Sequence, residues 1–89
     1  MLGSKYMKKI MCPCCKYYTH DHEQYLFEIC EVCFWQFDGT AHDIPSKISG
    51  ANKLSLKEAR ENYQKYGVCK KEFKHLVREP LIEELSENN

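Results

Sequence analysis

Leu56, Ala59, Tyr63 and Tyr66 recur at the three- and four-residue spacing of a single helical face. Lys57, Glu61 and Lys65 pair at i, i+4 intervals on the opposite side. Ser55 followed by Glu58 has the form of a capping box, and Gly67 is placed to close the helix at its C-terminus. A second, shorter helical segment is predicted over Lys71–Glu79, limited by Pro80, which disfavours helix at the residue before it. Upstream of residue 39 the period changes. Tyr25, Phe27 and Ile29 alternate with Leu26 and Glu28, which predicts a strand with one buried face leading into Cys30. Lys8–Met11 and Tyr17–Thr19 read as short strands on either side of a turn, and Phe34–Phe37 as an aromatic run ended by the turn pair Asp38–Gly39. Residues 39–54, with Gly39, Pro45, Ser46, Ser49, Gly50 and Asn52, read as a loop.

The turn before Tyr17 and the turn after Ile29 each carry a C-x-x-C pair, Cys12 with Cys15 and Cys30 with Cys33, fourteen residues apart. Such a turn lets two sulfurs converge on one ion at about 2.3 Å, and two turns facing each other complete a tetrahedron, with zinc the default occupant. Four thiolates also suit iron. The first cluster holds a third thiol, Cys14, which the x-x spacing leaves as spare or as a ligand exchanging with its neighbours. Cys69 is read as a small buried hydrophobe. Among His20, His22, His42 and His75, the first two lie near the first pair, but four cysteines already complete the set.

These elements predict a small α+β fold in one domain. Residues 7–38 form a zinc-ribbon-like β unit with two knuckles, 39–54 the loop, 55–80 a helical part with one main and one short helix, and 81–89 a partly frayed tail ending in Ser86–Asn89. At 89 residues a hydrophobic core alone is marginal, so metal ligation and folding are expected to be coupled. A thioredoxin-like redox pair wants its C-x-x-C at a strand-to-helix junction of a βαβ unit, which is not the pattern here. A disulfide framework needs an oxidising compartment, and Met1–Met11 lacks the apolar run of a secretion signal, so the expectation is a cytoplasmic protein with reduced or metallated thiols. No apolar stretch is long enough to cross a bilayer.

The formal net charge is zero, but it is segregated: +3 over residues 1–11, −5 over 12–45, +6 over 46–78 and −4 over 79–89. A neutral total with segregated charge favours a partner-specific surface, so the functional expectation is a metal-stapled module that binds another protein. The alternative is a nucleic-acid-binding zinc ribbon using residues 46–78, within which the basic run Lys70, Lys71, Lys74 and Arg78 could touch phosphates. No enzymatic activity is expected, because a closed four-cysteine site keeps no position for water or substrate.

CPCC at residues 12–15, EICEVCFW at 28–35, GANKLSLKEARENYQKYGVC at 50–69 and VREP at 77–80 together resemble the cysteine-rich CPCC family of small bacterial proteins. The resemblance covers most of residues 12–80 and implies a compact, metal-bearing domain without an assigned activity. The chain departs from the family pattern in two places. Lys16 stands where glycine follows CPCC, and Gln36-Phe37-Asp38 stands where acidic residues follow the tryptophan.

Overall fold

The computed structural model describes residues 9–21 and 28–85. Strand β1, Ile10–Met11, pairs antiparallel with β2, Tyr18–His20, and the first C-x-x-C turn lies between them. Ile10 faces His20 and Met11 faces Tyr18, so the register shifts by one residue and Thr19 has no opposite number. A bulge of this kind re-aims a side chain, and the Thr19 hydroxyl lies 3.0 Å from Cys30 Sγ. The predicted strand 25–29 lies largely outside the described residues. Its last residue, Ile29, forms a single antiparallel bridge with Gln36 and is 45% exposed, so it is not on a buried face as the alternation suggested.

The two cysteine turns are built alike. In the first, Cys12 N–H donates to Tyr17 O at 2.8 Å and Lys16 N–H to Cys12 O at 2.9 Å. In the second, Cys30 N–H donates to Trp35 O at 2.9 Å and Phe34 N–H to Cys30 O at 2.8 Å. In each, the residue after the second cysteine is left-handed: Lys16 at φ 72° and Phe34 at φ 71°. The conformation is disfavoured for side chains other than glycine. Phe34 stacks on Phe73 at a centroid distance of 4.7 Å, whereas Lys16 is exposed.

The stretch expected to be a plain loop carries a five-residue helix, α1, Gly39–Asp43. Asp38, expected to make a turn, instead caps it by accepting from Ala41 N–H, and the same carboxylate takes both hydrogen-bonding contacts of Ser49 Oγ at 2.9 and 3.1 Å. Gly50, at φ 69°, lies so close that a Cβ there would collide with the Asp38 carboxylate. The Asn52 side chain both accepts from Gln36 N–H and donates to Gln36 O, at 2.9 and 2.7 Å.

Helix α2, Leu56–Tyr66, has the predicted ends: a reciprocal capping box of Ser55 and Glu58, and Gly67 left-handed at φ 76°. Leu56 and Ala59 are fully buried in the cluster that holds the cysteines, Val32 and Trp35, with Tyr17, Phe34 and Tyr63 packed against it. The segment after α2 is a 3-10 helix, Lys71–Leu76, and not a helix reaching Glu79. Its first residue has no side-chain cap, and Val77 is already extended, which frees Arg78 to reach across the molecule. A further 3-10 turn, Ile82–Glu84, occupies the expected frayed tail, and Glu84 is buried within it; Ser86–Asn89 lie outside the described residues.

Because the Lys16 side chain is exposed and its backbone is left-handed, Lys16→Gly removes conformational strain without removing packing. The expected result is a gain of about 0.5–1 kcal/mol, the αL penalty of a non-glycine residue less glycine's extra unfolded-state entropy, read from chemical denaturation. Unchanged or lower stability would contradict this account of the turn.

Candidate metal centre

The two turns place Cys12, Cys15, Cys30 and Cys33 so that their four Sγ atoms all lie within 4.8 Å of one another. The cross-turn pairs Cys12–Cys33 and Cys15–Cys30 are 3.6 and 3.7 Å apart. Four sulfurs at about 2.3 Å from a common centre are separated by about 3.8 Å in a regular tetrahedron, so the group is preorganised for an ion of that size. All four cysteines are buried, and Cys30 Sγ also receives the Val32 backbone N–H at 3.4 Å besides the Thr19 hydroxyl. These donors stabilise a thiolate. The four can hold a metal ion, and the donor set suits zinc or another thiophilic metal.

Without an ion the crowded thiols compete for charge. Cys30 is held well below the ordinary thiol range, by hydrogen bonds from Cys12 first and then from Cys15 and Cys33. Cys12 is pushed up by Cys15 and then Cys30, and Cys33 by Cys12 and then Cys14. Cys15 also rises, because Cys30 and Cys33 outweigh the opposing hydrogen bond with Cys12. A shared cation would stabilise all four thiolates together.

Each turn is tied to a distant part of the chain. Arg60 of α2 donates to Pro13 O at 2.8 Å. Cys69 N–H donates to Cys33 O at 2.7 Å, while Asn62 holds Cys69 O at 2.8 Å. Arg78 N–H donates to Glu31 O at 3.1 Å, and its guanidinium contacts the Glu31 carboxylate at 2.9 Å. That guanidinium also makes a two-pronged pair with Glu84, both contacts at 2.9 Å, and the Glu84 carboxylate accepts from Leu81 N–H. Hydrogen bonding from Arg78 holds Glu84 below the usual carboxylate range.

A family model described as cysteine-rich CPCC matches residues 10–84. The chain belongs to the cysteine-rich CPCC family. The match ends at Glu84, the carboxylate that closes the Arg78 clamp. Comparison with curated proteins and with solved structures gave no match.

Cys14, the third thiol of the CPCC motif, is buried but is not part of the four-sulfur group. Burial pushes the Cys69 thiol up to about 12, so it stays protonated and packs as a small apolar group. His20 is buried outside the group, with Nδ1 3.5 Å from the Glu28 carboxylate. His42 and His75 are exposed, and His22 lies outside the described residues. Trp35 is fully buried in the same cluster as the cysteines. The sequence reading missed Thr19, Arg60 and the Arg78–Glu31–Glu84 clamp. VREP was a visible signal for the last, but its arginine was read only as one of a basic run.

Cys14→Ser is expected to retain stoichiometric zinc, whereas Cys30→Ser loses it; equal loss in both would make Cys14 a ligand. In the wild type, zinc binding at neutral pH should release close to four protons, because the metal-free chain is expected to unfold and free thiols, at about 8.5, are then protonated. Calorimetry in buffers of different ionisation enthalpy counts them, and a count of two or fewer would reject ligation by four thiolates. Glu84→Gln leaves the Arg78 guanidinium without its buried partner and should cost about 1.5–3 kcal/mol, the range for hydrogen bonds to charged groups. Denaturant midpoints at constant zinc measure it, and an unchanged midpoint would show that the clamp contributes nothing.

Proposed function

We propose that the chain is a zinc-stapled interaction module, zinc-ribbon-like in its two knuckles, that binds another protein and carries no catalysis of its own. The carrying observation is the buried four-sulfur group formed by Cys12, Cys15, Cys30 and Cys33. With four thiolates bound, zinc is closed and serves folding, having no position for substrate or water. Its apparent binding free energy in finger peptides, about 10–16 kcal/mol, equals or exceeds the usual stability of a small domain. The metal ligands are therefore also the folding determinants.

Protein binding is favoured over nucleic-acid binding by how the basic run is used. Arg78 is committed to two carboxylates, Lys71 lies over the Tyr66 ring at 5.4 Å and Lys70 over Phe73 at 5.7 Å. Only Lys74 of the four is left without such a contact among the described residues, so they do not form a free row of cations for phosphates. No helix among the described residues is long and apolar enough to cross a membrane.

Elemental analysis of the purified protein should give one zinc per chain, and a colourless sample excludes iron. Chelation should unfold it, and a folded metal-free chain in reducing buffer would overturn the structural role. Capture of partners from native lysate by the zinc-loaded protein should survive nuclease. Nuclease-sensitive capture, with salt-dependent binding to RNA or DNA, would replace protein binding by the nucleic-acid reading.

A further inference from the structure

On the side of α2 away from its cap, a cavity of about 690 Å³ runs between the C-terminal half of the helix and the extended segment 77–80. Its lining includes Tyr17, Tyr63 and Tyr66, the last with Lys71 Nζ 5.4 Å over its ring, together with Pro80 and the charged Lys74, Arg78 and Glu79. Tyr17 and Tyr63 meet edge to face, with centroids 6.4 Å apart, which fixes the two rings relative to each other. Gly67, having no side chain, lines it where the helix ends.

Two properties narrow the occupant. The cavity is an open trough and not an enclosed chamber; a small-molecule site usually buries most of its ligand, whereas an open trough suits a length of polypeptide. Apart from Arg78, which is paired with Glu31 and Glu84, its charged and hydroxyl side chains are unspent. None of the three tyrosine hydroxyls, nor the Lys74 ammonium or the Glu79 carboxylate, has a hydrogen-bond or ion-pair partner among the described residues. Burial pushes the Tyr63 phenol further above its ordinary range, so it remains a donor.

We propose that this trough takes an extended, proline-rich segment of a partner protein, with a basic side chain set against Glu79. A polyproline II segment has no internal hydrogen bonds, so its carbonyls need donors, and its ridged surface fits aromatic-lined grooves. Tyrosine rings supply the apolar walls and their hydroxyls supply the donors. Glu79 gives the charge complement, Arg78 beside it is already neutralised by Glu31 and Glu84, and Lys74 disfavours a basic residue in its vicinity, so the segment has a preferred direction. The inference rests on the protein-binding reading above and assigns that partner a class and a place.

The test uses the full-length zinc-loaded protein and a fluorescent oligoproline peptide flanked by arginine. The same flanks on a Gly/Ser peptide and a single-stranded oligoadenylate RNA serve as comparators, and binding is read by anisotropy. Saturable binding to the oligoproline peptide, at least about tenfold tighter than to the Gly/Ser peptide, is expected. Tyr66→Ala should weaken it at least about tenfold, and Tyr66→Phe should weaken it less. Glu79→Gln should remove the advantage of an arginine-flanked over an uncharged oligoproline peptide. Zinc content and melting temperature are checked for every variant, and the exposed Glu79 keeps the test decisive should Tyr66→Ala fail to fold.

Equal affinity for both peptides, no binding, or binding indifferent to both Tyr66→Ala and Glu79→Gln would overturn the assignment, as would preferential binding to the RNA. Nuclease-resistant lysate capture alongside peptide failure would refute the trough alone. Nuclease-sensitive capture would refute the protein-binding reading beneath it.

Discussion

Four sulfurs gathered inside 4.8 Å in a buried setting form an arrangement that neutral side chains have little reason to adopt. Thiols are weak hydrogen-bonding groups, and gathering four of them contributes less than packing hydrocarbon in the same volume. The arrangement suits a shared cation. A metal ion held by the four would fix the turns carrying them and give the remaining chain two anchored points on which to fold.

What surrounds those points is held to them by single hydrogen bonds, one from a side chain and two from backbone amides. Arg60 reaches the first turn through Pro13 O, while Cys69 and Arg78 reach the second through Cys33 O and Glu31 O. Each tie joins residues far apart in sequence, so the helical half of the chain is coupled to the metal half by directional bonds as well as by the burial of Leu56, Ala59 and Trp35. Distortion of either half is therefore transmitted to the geometry of the sulfurs. With two strands of two and three residues, the sheet itself can do little of this work.

Elements whose information is local were legible in the sequence. The Ser55–Glu58 box, the left-handed Gly67 and the amphipathic face of α2 are decided within a few residues, and each stands where the pattern put it. The paired cysteines converge because C-x-x-C spacing is itself a geometric statement. Four features were not legible, because none of them is decided by the residues immediately beside it. Asp38 caps α1 while holding Ser49, and Ile29 is left exposed beside its single bridge to Gln36. Glu84 is drawn inward by Arg78, and the segment after Lys70 tightens to 3-10 before that arginine can turn back. The left-handed angle at Lys16 was hidden for another reason: lysine gives no propensity signal for it.

The pairing of Asn52 with Gln36 has a further consequence. A strand that ends a sheet displays an unmatched amide and carbonyl, and such edges recruit strands from other molecules. Here one carboxamide occupies both groups of Gln36 at once, imitating the neighbouring strand that is not there. The second cysteine hairpin is thereby sealed by a side chain where a larger protein would use another strand. A chain this small can thus keep an incomplete sheet and still deny an intruding strand its first foothold.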